Sequence, residues 1–280
     1  MSKLAALDDL LEQYKQLNYH SDPLLKQRLN DAQNWLKSRI LNTHQELFNE
    51  PKNQLMAQYF INRLYGGPEF DELALQIERL LKYAHKAEKI IPENAIKTGL
   101  KSVGLAVLAM ELDEQVAQQL LKDYPANQVI DDEMMRQTLV KLDQSVARKQ
   151  QLDLLDELGI SLDKYMRSFI MHTAFKMCKG TASKYRFELM YDFIGEGFVA
   201  MKPLKSAATF IQSFTAKERV IVDNVHSGKP TPIRIRKGFG QMSIIFIRSR
   251  YKVMLNHLNW KYQNNSIAGE KDIYFSVYYS

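Results

Sequence analysis

The sequence predicts an all-α fold: one multi-helix, bundle-like domain over residues 1–232, followed by a basic, aromatic-rich tail over residues 233–280. Three observations lead to this prediction. Apolar residues recur every three to four positions through the first 232 residues, which is the period of an amphipathic helix. Gly and Pro fall between the periodic segments, where helices begin and end. Before Ile233, no segment shows the alternation of a half-buried strand.

Amphipathic stripes predict three helices in the N-terminal part of the chain. Apolar residues recur on one face from Leu4 to Leu17 and again from Leu25 to Leu47. Pro23 precedes the second stripe, and proline suits the first turn of a helix. A third helix is expected over Met56–Leu64, with its apolar residues on one face.

Gly66, Gly67 and Pro68 predict a corner between two helices. Glycine readily adopts the left-handed conformation that ends a helix. Pro68 then opens the next helix, and acidic residues follow in the first turn, where the helix dipole favours them. Local physical chemistry therefore accounts for the segment MAQYFINRLYGGPEF, Met56–Phe70, as a structural corner.

Further helices are expected over residues 68–84 and 92–121, and the middle of the second, Val103–Met110, is apolar nearly all round. Such a segment is typical of a buried central helix. A long helix is then expected from Asp131 to Gly159, which ends it.

The remaining helices are expected over residues 161–170, 183–202 and 203–225, and the first has its apolar residues at Leu162, Tyr165, Phe169 and Ile170. The segment KGTASK, Lys179–Lys184, is interpreted as an interhelical loop, with weak phosphate binding as the alternative.

Composition indicates a cytoplasmic protein. The chain has one cysteine, Cys178, so no intrachain disulfide can form, which fits a reducing compartment. Acidic residues near the N-terminus argue against a signal peptide. A hydrophobic content of 45% is sufficient for a sizeable core.

The formal charge of +6 belongs to the tail, because residues 1–232 are neutral overall. Basic residues alternate with aromatic residues in the tail, a pattern that suits nucleic acid or an anionic membrane. The basic residues concerned are Arg234, Arg236, Lys237, Arg248, Arg250 and Lys252. The tail also has weak strand propensity, and its Ile, Tyr, Asn and Lys content favours a non-native or disordered extension from a shifted reading frame.

The segment YFINRLYG, Tyr59–Gly66, resembles the heptapeptide and glycine that define the bacterial FFLEELY-motif proteins. Phe60, Leu64, Tyr65 and Gly66 match that motif, and Tyr59 and Ile61 are mild changes from it. Asn62 and Arg63 stand where that family has two acids, so a role of those acids does not carry over. The resemblance extends over residues 52–232 and implies a helical fold without an assigned activity.

Chemical motifs are scarce. None of the six histidines belongs to an HExxH or ExxH pattern, so we expect no metal site and no cofactor. His85 and Glu88 form a lone pair on one helix face, which is interpreted as solvated. Gly195–Gly197 is too short for a phosphate-binding loop, and no nucleophile elbow is present.

We therefore expect a non-catalytic interaction or regulatory module without catalytic residues. It would dock an unknown protein partner through a helical face beside the corner at Tyr59–Gly66. One alternative is an enzyme with a site assembled between helices, with Glu111, Asp113, His172 and Glu196 as the polar candidates. The other alternative is binding of nucleic acid or an anionic membrane through the tail.

Overall fold

The computed structural model describes residues 4–65, 69–83, 91, 93–166 and 168–229. These residues form eleven α-helices and no strand, which confirms the predicted all-α class. The helices are α1 (Ala5–Lys15), α2 (Pro23–Thr43), α3 (Gln45–Asn49), α4 (Gln54–Tyr59), α5 (Glu69–Lys82), α6 (Glu93–Asp123), α7 (Asp132–Leu142), α8 (Ser145–Met166), α9 (Phe169–Lys184), α10 (Glu188–Met201) and α11 (Ala207–His226). A 3-10 turn spans Asn18–His20, and a π-helical turn over Phe60–Leu64 extends α4.

Three sets of predictions lie outside the described residues. They are the Gly66–Pro68 corner, the His85–Glu88 pair and the whole tail with its basic residues. The helix predicted to follow the corner is present as α5, which begins at Glu69. Among the described residues, no helix is long and apolar enough to cross a membrane.

Side-chain caps explain where several helices begin. Asp22 accepts hydrogen bonds from the backbone N–H groups of Leu24 and Leu25, and Pro23 occupies the first turn of α2. Asp131 accepts a hydrogen bond from the Met134 N–H at the start of α7. Such caps satisfy N–H groups that have no partner within the helix.

The prediction of one helix from Asp131 to Gly159 was wrong. The chain breaks at Asp143, which has a left-handed conformation with φ of 47°, and α8 continues through Gly159. A Cβ at Gly159 would lie 3.0 Å from Ile211 Cδ1 and 3.3 Å from the Ala208 Cα. The glycine therefore permits close packing of α11 on α8 rather than ending a helix.

Two other local predictions were also wrong. Lys179–Lys184 is the last part of α9 and not a loop. The last helix begins at Ala207 and not at Pro203, because Ser206 caps it and the Asp163 carboxylate accepts hydrogen bonds from the N–H groups of Ala207 and Ala208.

The core extends between α6 and the helices around it. One buried cluster joins α2, α6, α7 and α11. Another joins α2, α3, α4, α10 and α11, and in it the Phe48 ring of α3 stacks on Phe210 and Phe214 of α11. Helix α6 is central, as predicted. Of its apolar segment Val103–Met110, however, only Val107 and Met110 are buried; the rest is partly accessible. The reason is a cavity beside α6.

Candidate functional site

A cavity of about 550 Å³ lies within the helical domain. Every described helix except α3 contributes to its wall, and most of the lining side chains are aliphatic or aromatic. Helix α6 contributes Val103, Ala106, Val107, Ala109 and Met110 to the wall. The short side chains of Ala106 and Ala109 fill little of the space between the helices.

One buried ion pair at the cavity wall joins α6 to α8. The Arg148 guanidinium donates a hydrogen bond of 2.9 Å to Asp113 Oδ1. Gln33 of α2 donates to the other oxygen of Asp113 at 3.5 Å. Arg148 also donates to the side-chain oxygens of Gln144 and Gln151, at 3.2 Å and 3.3 Å. This network fixes the orientation of both charged groups.

A second buried ion pair joins α2 to α11. The Arg39 guanidinium donates to Glu218 Oε1, and His44 Nε2 lies 2.7 Å from the same oxygen. Burial alone would raise the pKa of Glu218, but the charge of Arg39 and the hydrogen bond from His44 lower it to about 2. Burial lowers the pKa of His44. The imidazole is therefore neutral at pH 7, and its Nε2–H donates to the carboxylate.

Tyr65 lies within electrostatic range of both pairs and lines the cavity. Burial raises its pKa, and Asp113 raises it further, so the hydroxyl stays protonated at neutral pH. This hydroxyl makes no hydrogen bond to any part of the chain that the structure describes. It is thus a polar group at the cavity with free hydrogen-bonding capacity.

The family match covers these residues. A family profile described as "Domain of unknown function (DUF8198)" matches residues 16–232. The chain belongs to this family. No curated protein and no solved structure matches it. The matched range includes both ion pairs and Tyr65, whereas the lining residues of α1, Leu7, Leu10, Leu11 and Tyr14, lie before it.

The predicted motif residues of the DUF8198 domain fall into two groups. Tyr59 is structural: its hydroxyl donates to the Phe193 carbonyl at 3.0 Å, and a Cβ at Gly197 would lie 3.0 Å from that hydroxyl. Phe60 is buried against Phe214, with ring centres 4.8 Å apart. Tyr59 and Phe60 also line the cavity, together with Leu64 and Tyr65. Gly66 and Gly67 lie outside the described residues.

The four predicted polar candidates do not come together. Only Asp113 lines the cavity, while Glu111 is half-buried elsewhere on α6. His172 packs against the Phe198 ring at 4.9 Å. Glu196 accepts two hydrogen bonds from Arg63, at 2.6 Å and 2.8 Å. In the described ranges, no group of three His, Cys, Asp or Glu side chains could hold a metal ion.

The sequence interpretation missed Arg39, Arg148 and Glu218 as site residues. Arg39 and Glu218 are 179 positions apart, so no local motif joins them. One signal was nevertheless present. Glu218 occupies a stripe position between Phe214 and Ile221, where the helical period predicts an apolar residue. A charged residue within an apolar stripe needs a buried partner, and such interruptions mark the polar side of this cavity.

Proposed function

We propose that this DUF8198 domain is a binding protein for a small molecule with an apolar body and a neutral polar group. The cavity carries the proposal. Protein interiors contain few voids larger than a water molecule, whereas ligand sites occupy roughly 300–1,000 Å³ and have mostly apolar walls with a few fixed polar groups. A volume of about 550 Å³ falls within that range.

Charge balance at the wall favours a neutral ligand. The charged side chains among the described lining residues are two arginines and two carboxylates, paired as Arg148 with Asp113 and Arg39 with Glu218. An ionic ligand would bring an uncompensated charge into this apolar interior, which is costly. A hydroxyl, amide or ester group instead adds hydrogen bonds without changing the charge balance.

The Tyr65 hydroxyl is the group that would meet the polar end of the ligand. Tyr65 lines the cavity, and its protonated hydroxyl can both donate and accept a hydrogen bond. The aliphatic walls around Val107 and Leu155 would cover the apolar body. Burial of each additional methylene contributes about 0.8 kcal/mol, so affinity should rise with chain length until the cavity is full.

A competition experiment tests this proposal. Nile red, a neutral fluorescent probe, is bound to the purified protein and displaced with decanol, decanoate or decylammonium. We expect decanol to compete at least tenfold better than either ion. Tyr65→Phe should lower the affinity for decanol by about fivefold, because it removes one hydrogen bond with a net contribution of about 1 kcal/mol. Equal competition by all three compounds would contradict the proposal.

A cavity-filling variant provides the control. Ala106→Trp places a large side chain into the lined space and should remove probe binding, whereas Ala5→Trp on an exposed part of α1 should not. Circular dichroism of both variants shows whether each retains the helical fold. If Ala106→Trp folds and still binds the probe fully, the binding site is elsewhere.

Docking of a protein partner beside Tyr59 is a second proposal. It is supported by Leu55, an exposed apolar residue one turn before Tyr59 on α4. A photo-crosslinking residue at position 55 should give a discrete adduct in cells, compared with the same residue at Val146, which is also exposed. Equal adducts at both positions would contradict specific docking at this corner.

The motif group, the cellular compartment and the role of the tail are proposed from the sequence alone. We propose membership of the bacterial FFLEELY-motif group from the Tyr59–Gly66 match, and a cytoplasmic setting from the single Cys178. Nucleic-acid or membrane binding by the tail and catalysis between the helices are further proposals. Of the four polar residues predicted for such an enzyme site, only Asp113 lines the cavity.

A further inference from the structure

Helix α9 presents large apolar side chains to solvent. Phe169, Ile170 and Met177 are 82%, 72% and 77% exposed. Successive helical residues are about 100° apart, so these three lie within one arc of about 100° around the helix. Thr173 and Gly180 lie within the same arc and are exposed too. The outer face of α9 is therefore a continuous, partly apolar surface, called the α9 face below.

The opposite side of α9 is fixed to the domain, which defines the direction of the α9 face. The Phe175 ring stacks on Tyr191 of α10, with ring centres 4.2 Å apart. Ala182 is buried, and His172 packs on Phe198. Since these residues hold the inner side, the exposed apolar residues cannot turn inward without breaking the contacts.

Charge on α9 has one sign. Its sixteen residues include Lys176, Lys179 and Lys184 and no acidic residue. All three lysines are exposed, and Lys176 and Lys179 border the apolar arc on one side. Residues 1–232 carry no net charge as a whole. The local excess of positive charge on this apolar helix is thus a property of α9 and not of the domain.

We infer that the α9 face docks on the surface of an anionic lipid bilayer. A helix with projecting Phe and Ile side chains and flanking lysines has the form of an interfacial helix, which inserts its apolar face between headgroups. Lysine stems extend along the apolar region while their ammonium groups reach the anionic lipids. The apolar residues project from a convex helix rather than lining a groove, which suits a deformable bilayer. The inference does not depend on the cavity or its ligand.

Flotation with vesicles tests the inference on the full-length chain. Vesicles of phosphatidylcholine alone are compared with vesicles that also contain phosphatidylserine, at low and high salt. We expect binding to the anionic vesicles only, weakened by salt. The triple variant Phe169→Ser, Ile170→Ser, Met177→Ser should bind at least about tenfold less, because it loses the inserting side chains.

Two matched variants separate the α9 face from other surfaces. Val129→Ser, Val146→Ser, Val220→Ser removes three exposed apolar residues elsewhere and should bind normally. A full-length variant with glutamine at Arg234, Arg236, Lys237, Arg248, Arg250 and Lys252 removes tail charge, and it should retain the dependence on Phe169. If the tail variant alone loses binding while the α9 variant keeps it, the inference is overturned.

A tryptophan at position 169 reports the contact directly once the native Trp35 and Trp260 are replaced by phenylalanine. Phe169→Trp should show a blue-shifted emission on anionic vesicles, whereas Val146→Trp should not. Absence of vesicle binding by the unmodified chain would overturn the inference and direct attention to an acidic protein partner for the α9 face. Equal binding to both vesicle types would overturn the role of the lysines.

Discussion

Helices α8 and α9 follow one another in the chain, yet they are held in opposite ways. Helix α8 packs along α11, with Gly159 close to Ile211 and Ala208 and a hydrogen bond of 2.7 Å from Thr215 to Asp156. Leu152, Leu158 and Gly159 of α8 are buried, and so are seven residues of its partner α11, whereas among the sixteen residues of α9 only Ala182 is buried. Apolar content alone does not determine burial: α9 has Phe, Ile and Met on its outer face.

The difference lies in partners from distant parts of the chain. Helix α11 presents Glu218 to Arg39 of α2, and Arg219 to Asp153 and Asp156 of α8. Helix α9 is held mainly by ring contacts with α10. We therefore regard the α2–α6–α8–α11 group as the rigid frame of the cavity, and α9 as a peripheral surface element.

The largest effect on stability is expected when the buried ion pair of Arg39 and Glu218 is broken. Glu218→Gln leaves the Arg39 guanidinium buried without its counter-charge and should lower the free energy of unfolding by about 3–5 kcal/mol. Urea denaturation measures this change. The control, Glu133→Gln, removes an exposed partner of Arg136 and should leave the urea midpoint unchanged. Equal effects of the two variants would show that the Arg39–Glu218 pair is not buried in solution.

Two glycine substitutions sharpen the comparison, because they should have opposite signs. Gly159→Ala inserts a methyl group against Ile211 and the Ala208 backbone, and should destabilise the protein by about 1–3 kcal/mol. Gly180→Ala on α9 meets no atom within 4 Å and should stabilise by about 0.5–1 kcal/mol, since alanine favours helix. Thermal unfolding measures the change in stability of each variant relative to the unmodified protein. Stabilisation by both would contradict close packing of α11 on α8.

A smaller change in the free energy of unfolding is expected when the pH is lowered. Burial lowers the pKa of His44 in the folded state, so the unfolded state binds more protons below the usual histidine pKa of about 6.5, and stability falls as the pH is lowered. Glu218, whose pKa is lowered to about 2, adds a further loss between its usual pKa and that value. Urea midpoints between pH 7.5 and pH 5.5, roughly the range in which histidine titrates, measure the first step.

The variant His44→Gln should remove the first of these two steps. It keeps a hydrogen-bond donor near Glu218 without a group that titrates in that range. The same pH dependence in the variant and in the unmodified chain would assign the effect to another group.

Much of the fold could be predicted from the sequence, since the decisive signals are local. Asp22 with Pro23, and Asp131, mark helix starts through interactions within a few residues. Gly159 could not be interpreted in the same way, because its role depends on Ile211, which is 52 positions away. Similarly, the small apolar residues of Val103–Met110 suit either a packed helix or a cavity wall, and only the neighbouring helices distinguish the two.

The site was less predictable for the same reason. Asp113 was selected from the sequence, but its partner Arg148 and the Arg39–Glu218 pair depend on contacts between distant helices. Tyr65 was selected as part of a structural motif, and its place in the cavity wall, within electrostatic range of both ion pairs, adds a role in the proposed binding. Polar residues that interrupt an apolar stripe, as Glu218 does, are the transferable signal.

Hydrogen exchange of the full-length protein with and without decanol tests the central claim, ligand binding in the cavity, most directly. We expect saturable slowing of exchange in α6 around Val103–Met110 and in α11 near Glu218, with no change in the second half of α9, Met177–Lys184, which does not line the cavity. Tyr65→Phe should reduce the slowing at a given decanol concentration. Unchanged exchange in α6 at saturating decanol, or slowing confined to α9, would contradict the claim.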